Sequence, residues 1–335
     1  MRTDRGRSGG RATLRRIARA LPALVLVFAL DFLLLHLPGH AVGPDPESTA
    51  AFDAEALQRH LRETERRFHL DRPTGERFLI WARAAVRFDF GIAMSDPRPV
   101  RSIVAEALGP TLLLQGCALL VMFGLGVPLG VAMARRARRP VDRLLRGGLY
   151  GLQAVPDFWL ATLLLVFLAT GAGVAIFPLE RLSGRDHESL ALLPALLDRL
   201  RHLALPVTAL ALPGMAVVAR QTRAAMLEAI ESEPVLALRA RGVAERRVVW
   251  IYALRSALGP VVVLFGAALP ALVGGSVVVE RIFNIRGLGL LLWEATTRRD
   301  FPILQALLLL VATAVVLGLA VADALAARLD PRVRT

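Results

Sequence analysis

Long apolar segments alternate with polar, arginine-rich segments along most of the chain. A helix needs about 20 consecutive apolar residues to cross the hydrocarbon layer of a bilayer, and six segments approach that length. The pattern therefore predicts an all-α membrane protein with six transmembrane helices. The predicted spans are Leu21 to Leu37, Thr111 to Ala134, Gly148 to Thr170, Leu203 to Ala219, Ala257 to Val279 and Ile303 to Ala322.

The polar segments differ in charge from one side of these spans to the other. If the N-terminus is cytoplasmic, the cytoplasmic segments hold 23 arginines against 7 acidic residues, whereas the external segments hold 18 of each. Cytoplasmic loops of membrane proteins carry the excess of basic residues. We therefore expect a multi-pass protein of the bacterial cytoplasmic (inner) membrane with both termini in the cytoplasm.

This topology divides the chain into segments with different surroundings. We expect a cytoplasmic basic tail at 1–20, a first transmembrane helix at 21–37, a small external segment at 38–110, a five-helix transmembrane core at 111–330 and a cytoplasmic tail at 331–335. The external segment contains Ala51 to Leu70, which has apolar residues on one helical face among charged neighbours. That helix is either an external cap or a solvated spacer. The start of the chain could also be an export signal, although the apolar run favours a retained span.

The cytoplasmic loop 220–256 contains the most informative local pattern. Ser232 and Glu233 before Pro234 are typical of a helix start, because proline in the first turn loses no hydrogen bond. Gly242 is a plausible helix end, since glycine adopts the left-handed conformation without steric cost. The short helix between them carries many apolar side chains for a water-exposed loop. It should dock on a partner, or fold back on its own bundle or the lipid surface.

Every basic residue of the chain is arginine, and lysine is absent. A Walker A loop needs a lysine to reach the nucleotide phosphates, so the chain has no ATP site of this kind and we do not expect it to be an enzyme. The net charge of +13 could suggest nucleic-acid binding. The arginines cluster at membrane edges without an aromatic-basic module, however, so we expect no nucleic-acid partner. Neither a catalytic nor a metal site is predicted.

Several sequence motifs of the chain resemble those in the permease subunits of dipeptide and oligopeptide ABC importers. Their order and spacing are specific, and the resemblance covers nearly the whole chain. Departures from the family pattern include Pro234, Leu236, Leu238 and Arg286. The matching phrases are FDFGIAMS (Phe88 to Ser95), PVRSIVAEALGPTLLL (Pro99 to Leu114), GVPLGVAMARR (Gly126 to Arg136), ARQTRAAMLEAI (Ala219 to Ile230), LRARGV (Leu238 to Val243), ALRSALGPVV (Ala253 to Val262), GGSVVVERIFNIRGLG (Gly274 to Gly289), RRDFP (Arg298 to Pro302) and LDPRVR (Leu329 to Arg334).

The resemblance implies a function and a set of partners. The chain would form half of the translocation pathway of an importer for peptides or similar small solutes. Its partners would be a second homologous permease subunit, two ATPase subunits, an extracytoplasmic substrate-binding protein and membrane lipid. ATP and Mg would be bound by the ATPase subunits, with no cofactor in this chain. The ATPase-coupling helix, known as the EAA motif, would comprise Glu233, Pro234, Val235, Leu236, Ala237, Leu238, Arg239, Ala240, Arg241 and Gly242.

Four further residues are candidates for the translocation pathway or its gate. Gly274 and Gly275 near the end of the fifth span would allow close helix approach or local unwinding. Glu280 could hold an external gate or pair with a neighbouring arginine, or be an interfacial charge. Asp157 lies within a predicted span, where an ionisable side chain is costly. It would either line the substrate path or form a hydrogen bond between helices.

Two other classes of function have less support. An ion-coupled secondary transporter or channel would need mid-membrane acids in related halves of the chain, and no such repeated pair is present. An intramembrane enzyme would need a motif such as His-Glu-x-x-His or Gly-x-Ser-x-Gly, and the sequence contains neither.

Overall fold

The computed structural model describes residues 22, 25–30, 32–33, 72–170, 176–184 and 187–329. Within these residues the chain is helical apart from turns and loops, and a single isolated bridge, between Ile92 and Pro99, is its only β pairing. A π-helical turn at Val248–Ala253 precedes α8. The helices are α1 (Thr74–Val86), α2 (Val100–Arg135), α3 (Pro140–Ala154), α4 (Asp157–Leu168), α5 (Leu192–Ile230), α6 (Glu233–Ala240), α7 (Glu245–Arg247), α8 (Leu254–Ala268), α9 (Ala271–Gly274), α10 (Val277–Ile282), α11 (Leu288–Thr297) and α12 (Phe301–Leu329).

Four described helical stretches are long and apolar enough to cross a membrane, and α3 with α4 would make a fifth. The all-α membrane fold is confirmed, while the number of six spans stays a prediction. Part of the predicted first span, Leu21 to Leu37, lies outside the described residues, as do the whole predicted helix Ala51 to Leu70 and both tails. The four stretches are Val100–Arg135, Leu192–Ile230, Glu245–Gly274 and Phe301–Ala322.

The spanning helices are longer than the apolar runs that predicted them. The helix α2 begins at Val100, although its apolar run begins at Thr111, and α5 extends beyond Leu203 to Ala219 at both ends. Hydropathy marks only the part of a helix that lipid can surround. The helical hydrogen-bond pattern continues into water wherever polar side chains allow it.

Two predicted spans are interrupted in the structure. Gly148 to Thr170 is divided at Val155 and Pro156, and the two parts, α3 and α4, meet at 97°. Proline has no N–H and disfavours the helical conformation of the residue before it, which explains the break. The predicted span Ala257 to Val279 ends earlier, at Gly274, because Gly275 adopts a φ of +64°.

Small residues allow the central helices to pack closely. The long helices α2 and α5 cross at Gly126 and Gly130, where an added Cβ would lie 2.9 Å from the Val218 side chain and 2.6 Å from Thr222. Likewise, Gly266 of α8 lies directly against Ala322 of α12. Lipid tails are as apolar as leucine, so close van der Waals contact replaces the hydrophobic effect as the main attraction between these helices.

An additional helix, α1, lies in the segment predicted to be external. Its Phe78 and Trp81 form an aromatic cluster with Phe28 and Phe32, with centroid distances of 5.3 Å for Phe32 to Phe78 and 5.6 Å for Phe28 to Trp81. The cluster packs α1 against the helical residues 25–30 and 32–33. Sequence analysis did not predict α1, because its apolar residues are interspersed with charged ones.

Candidate functional site

The predicted coupling helix forms as α6, Glu233–Ala240, with Pro234 in its first turn. Gly242 ends it with a φ of +76°, as its position predicted. The Gly242 N–H donates to the Arg239 carbonyl at 2.9 Å and the Val243 N–H donates to the Leu238 carbonyl at 3.2 Å. This pair of bonds is the Schellman motif. Ser232 immediately precedes α6, as the predicted helix start requires, but its hydroxyl donates to the Ala229 carbonyl at 2.7 Å and makes no capping hydrogen bond to α6.

The two faces of α6 have different surroundings. Val235 is 2% exposed, and with the partly buried Leu238 it packs in an apolar cluster that includes Val131, Met226 and Val249. Of the alternatives that the sequence left open, folding back on its own bundle is therefore confirmed for the inward face. The outward face is exposed and comprises Glu233, Pro234, Leu236, Ala237, Ala240 and Arg241.

Arg239 fixes the orientation of α6. Its guanidinium donates two hydrogen bonds to the Glu245 carboxylate, at 3.1 and 2.7 Å, and one to the Ile230 carbonyl at 3.5 Å. The hydrogen bonds to Glu245 are the main cause that raises the pKa of Arg239. The helix is thereby held against the C-terminal end of α5 and the start of α7.

A buried ion pair that sequence analysis missed lies at the same end of the bundle. Asp142 of α3 is fully buried, and both of its oxygens accept from Arg223 of α5 at 2.7 Å. The Arg138 N–H also donates to it, at 3.3 Å. Bidentate geometry of this kind is the strongest arrangement for an arginine and a carboxylate. In the sequence, the only signal for this ion pair is a single acidic residue, Asp142, in a segment that holds six arginines. This pattern does not identify which arginine is the partner of Asp142.

Glu280 lies at the opposite end of the bundle and is fully buried. Its Oε1 accepts from the Thr111 hydroxyl at 3.0 Å, and its Oε2 accepts from the Leu290 N–H at 3.0 Å. Thr111 Oγ1 in turn accepts from the Leu288 N–H at 2.7 Å. No arginine lies within ion-pair distance of Glu280 in the described part of the chain. The described residues therefore do not support the interpretation as an arginine partner, and the roles as a gate residue or an interfacial charge stay predictions.

Glycines make room for the Glu280 carboxylate. A Cβ at Gly275 would lie 2.8 Å from Oε1, and one at Gly287 would lie 2.5 Å from Oε2. Gly289 approaches the Val277 backbone so closely that its Cβ would lie 2.8 Å from the nitrogen. The structure therefore brings Gly275 and Glu280 together. Gly274 is not a position of close approach, since its nearest neighbour would be 4.0 Å away.

Asp157 stands apart from these residues. It is the first residue of α4, directly after the bend, and its side chain is exposed. Its carboxylate accepts from the adjacent Phe158 N–H at 2.8 Å, which helps to start the helix. Of the other acids within predicted spans, Asp31 and the side chain of Asp323 lie outside what the structure describes.

A third buried carboxylate, Asp300, connects a loop to the start of α12. It accepts from the Met94 and Ser95 backbone N–H groups at 2.8 and 2.7 Å and from the Ser95 hydroxyl at 2.7 Å. The loop and Asp300 are about 200 positions apart in the chain. The phrases FDFGIAMS and RRDFP were recognised separately, but nothing in either indicates that they meet.

An open cleft of about 490 Å³ adjoins the Glu280 site. It is lined by Gly287 and Leu290 together with charged side chains that include Arg286 and Glu294. Arg98 and Glu106, also on its wall, form an ion pair at 2.9 Å, and hydrogen bonds to Glu106 and Asp96 raise the pKa of Arg98. No set of three or more metal-ligating side chains occurs among the described residues.

Comparison with known proteins decides the family. Residues 126–335 match the family model described as the inner membrane component of binding-protein-dependent transport systems. The chain belongs to this family. The matched region contains α6 and the Glu280 carboxylate, whereas Thr111, the partner of Glu280, precedes it.

Two relatives of this permease match nearly its full length. The oligopeptide transport system permease protein AppB of Bacillus subtilis (strain 168) is 31% identical over 321 residues, which cover 96% of this chain and 98% of that protein. The dipeptide transport system permease protein DppB of Escherichia coli (strain K12) is 28% identical over 348 residues, with the same coverage. The resemblance to dipeptide and oligopeptide permeases is confirmed.

Proposed function

We propose that the chain is the transmembrane permease subunit of an ATP-driven ABC importer for peptides or similar small solutes. Its family and the names of its relatives support this function, as does the lack of any lysine for a phosphate loop. In the assembly this subunit forms half of the translocation pathway, beside a second homologous permease. Two ATPase subunits bind ATP and Mg, and an extracytoplasmic binding protein delivers the cargo.

The arrangement of α6 is the observation that carries the proposal. An exposed face that includes Leu236, at 49% exposure, lies on a helix whose other face is buried in the bundle. Such a helix fits a groove on a partner protein. A displacement of α6 would be passed to α5 and α8 through Val235 and the Arg239–Glu245 pair, because close-packed side chains and ion pairs move as a unit.

At the opposite end, Glu280 is the proposed gate residue. Its carboxylate joins α10 to the start of α11 and to α2 through Thr111. A tilt of α8 would act on this connection through the flexible Gly274–Gly275 junction. Asp157, at the bend before α4, is proposed to line the path of the solute.

The test removes the outward contact of α6 without touching its inward packing. Leu236→Asp, expressed with the partner subunits, should lose its ATPase subunits on affinity purification and should lose ATP-dependent uptake. Loss of a central interface contact costs about 2–4 kcal/mol, on the order of 30- to 1000-fold in affinity. The amount of folded permease in the membrane should not change.

A matched control is available at Leu179, which lies in a loop and is 48% exposed. Leu179→Asp introduces the same charge at a similar exposure and should retain the ATPase subunits. Leu238→Asp should instead reduce folded protein, because it puts a carboxylate into the apolar cluster. If Leu236→Asp kept its ATPase subunits and transported normally, α6 would not be the coupling element. Uptake driven by an ion gradient without ATP would support the alternative of a secondary transporter.

A further inference from the structure

The helix α3 presents apolar and basic side chains to its surroundings at the same time. Leu144 is 76% exposed and Val141 is 46% exposed, and the exposed arginines Arg139 and Arg143 are adjacent to them. The opposite face, with Leu149, packs on α5. A helix with an apolar surface flanked by arginines is typical of a membrane–water interface.

Contacts with α5 place α3 at the edge of the apolar layer. Asp142 and Gln153, near opposite ends of α3, contact Arg223 and Arg220, which lie less than one turn apart on α5. The helix α3 therefore runs across α5. The crossing point is where α5 changes from the apolar run that ends at Ala219 to charged residues.

The bend between α3 and α4 agrees with this placement. The two helices meet at 97°, and α4 is apolar throughout except for its first residue. If α4 enters the hydrocarbon, then α3 runs along its surface. Leu144 and Val141 would otherwise remain in water with no covering side chain.

A small cavity lined mainly by arginines lies at the start of this helix. Arg135, Arg136 and Arg139 line a cavity of about 250 Å³ together with Ala132. In the described part of the chain no carboxylate lies within ion-pair distance of these three arginines. Asp142, the one acid of the segment, has both oxygens taken by Arg223.

We propose that α3 lies in the membrane interface and that the three-arginine pocket binds the phosphate of an anionic phospholipid headgroup. The proposal rests on the proposed topology, which assigns this end of the bundle to the cytoplasmic leaflet. An acidic protein surface would also match the charge, but it would not account for exposed leucine and valine side chains at the height of the lipid boundary. Arginine binds phosphate through parallel N–H groups. Each basic group near an anionic leaflet adds its own contribution to the binding free energy.

The test measures lipid selectivity next to the pocket. The chain carrying Cys117→Ala and Leu144→Cys is purified with its partner subunits, labelled with an environment-sensitive fluorophore and reconstituted in phosphatidylcholine vesicles. Brominated phosphatidylglycerol and brominated phosphatidylcholine are then compared as quenchers. We expect quenching by both lipids, with phosphatidylglycerol preferred about tenfold or more, since each near-surface arginine contributes about a factor of five.

The decisive variant is Arg135→Gln/Arg136→Gln/Arg139→Gln, which should reduce the preference to about one. The control variant Arg83→Gln/Arg87→Gln/Arg298→Gln removes the same charge from exposed arginines elsewhere and should keep the preference. A preference that survives in the first variant would overturn the headgroup site. Absence of quenching by either lipid would overturn the placement of α3 in the membrane interface and would make the patch a protein-docking surface. Neither result depends on transport, so the proposed function is tested separately.

Discussion

At the residue scale, two buried carboxylates hold together parts of the chain that are distant in sequence. Glu280 joins α10 and the start of α11 to Thr111 of α2, and Asp300 joins the start of α12 to the loop at Met94 and Ser95. Neither has an arginine partner within ion-pair distance among the described residues. Hydroxyl and backbone N–H groups satisfy them instead, which offsets much of the cost of burying a carboxylate.

The glycines around Glu280 give a prediction at this scale. Gly287→Ala would place a methyl group 2.5 Å from Glu280 Oε2 and against Thr111 Oγ1. The backbone at Gly287 has a φ of −105°, which alanine tolerates, so the effect is steric. We expect the free energy of unfolding to fall by about 1–3 kcal/mol, seen as a lower midpoint when the detergent-solubilised protein is heated.

Gly116→Ala is the control for this change, because nothing lies within 4 Å of the added methyl group there. Gly116 is inside α2, where alanine favours the helix, so its midpoint should be equal to or above that of the unchanged protein. Equal thermal unfolding midpoints for Gly287→Ala and the unchanged protein would show that the Glu280 site accommodates the added methyl group without steric cost.

At the scale of elements, the conformation of α6, the proposed coupling helix, depends on how it ends. The Schellman motif at Gly242 returns the chain so that Val243 packs beside Leu238 in the apolar cluster. A residue with a Cβ is strained at a φ of +76°. The sequence pattern therefore predicted the conformation of a specific residue, because the requirement is local and sterically strict.

Gly242→Val should disturb α6 through its backbone. A β-branched residue in the left-handed region costs about 1–3 kcal/mol. The few contacts of the short helix α6 do not easily offset this strain. We expect the ATPase subunits to be recovered in smaller amount with the Gly242→Val variant, at similar membrane expression. Gly242→Asn should bind them nearly normally, since asparagine tolerates this conformation. If valine and asparagine behaved alike, backbone strain would not be the cause.

At the scale of the whole molecule, the two ends of the helical bundle have different roles in the proposed transport cycle. The α6 end carries the exposed coupling face, the Asp142–Arg223 pair and the arginine pocket. The opposite end carries Glu280, Asp300 and the open cleft. The long helices α2 and α5 extend between the ends, and their glycine-lined crossing makes them a rigid connection.

This polarity can be measured with single cysteines in the Cys117→Ala background. Thr296 and Ala237 are both exposed, and they lie at opposite ends of the bundle. In intact cells an impermeant thiol reagent should label Thr296→Cys and should reach Ala237→Cys only after permeabilisation. Labelling of Ala237→Cys in intact cells would reverse the proposed orientation.

The sequence by itself determined the all-α membrane fold, the position of α6 and the conformation of Gly242. These follow from hydropathy and local backbone sterics, which depend on neighbouring residues only. Tertiary structure alone decided that Val235 and Leu238 face inward while Leu236 faces outward, because one helical turn does not reveal which side meets the bundle. It also decided the partners of Glu280, Asp300 and Asp142. The contacts with Thr111, Arg223 and Met94 join positions 81 to 206 residues apart, and such pairings are set by how the helices cross, which no local pattern encodes.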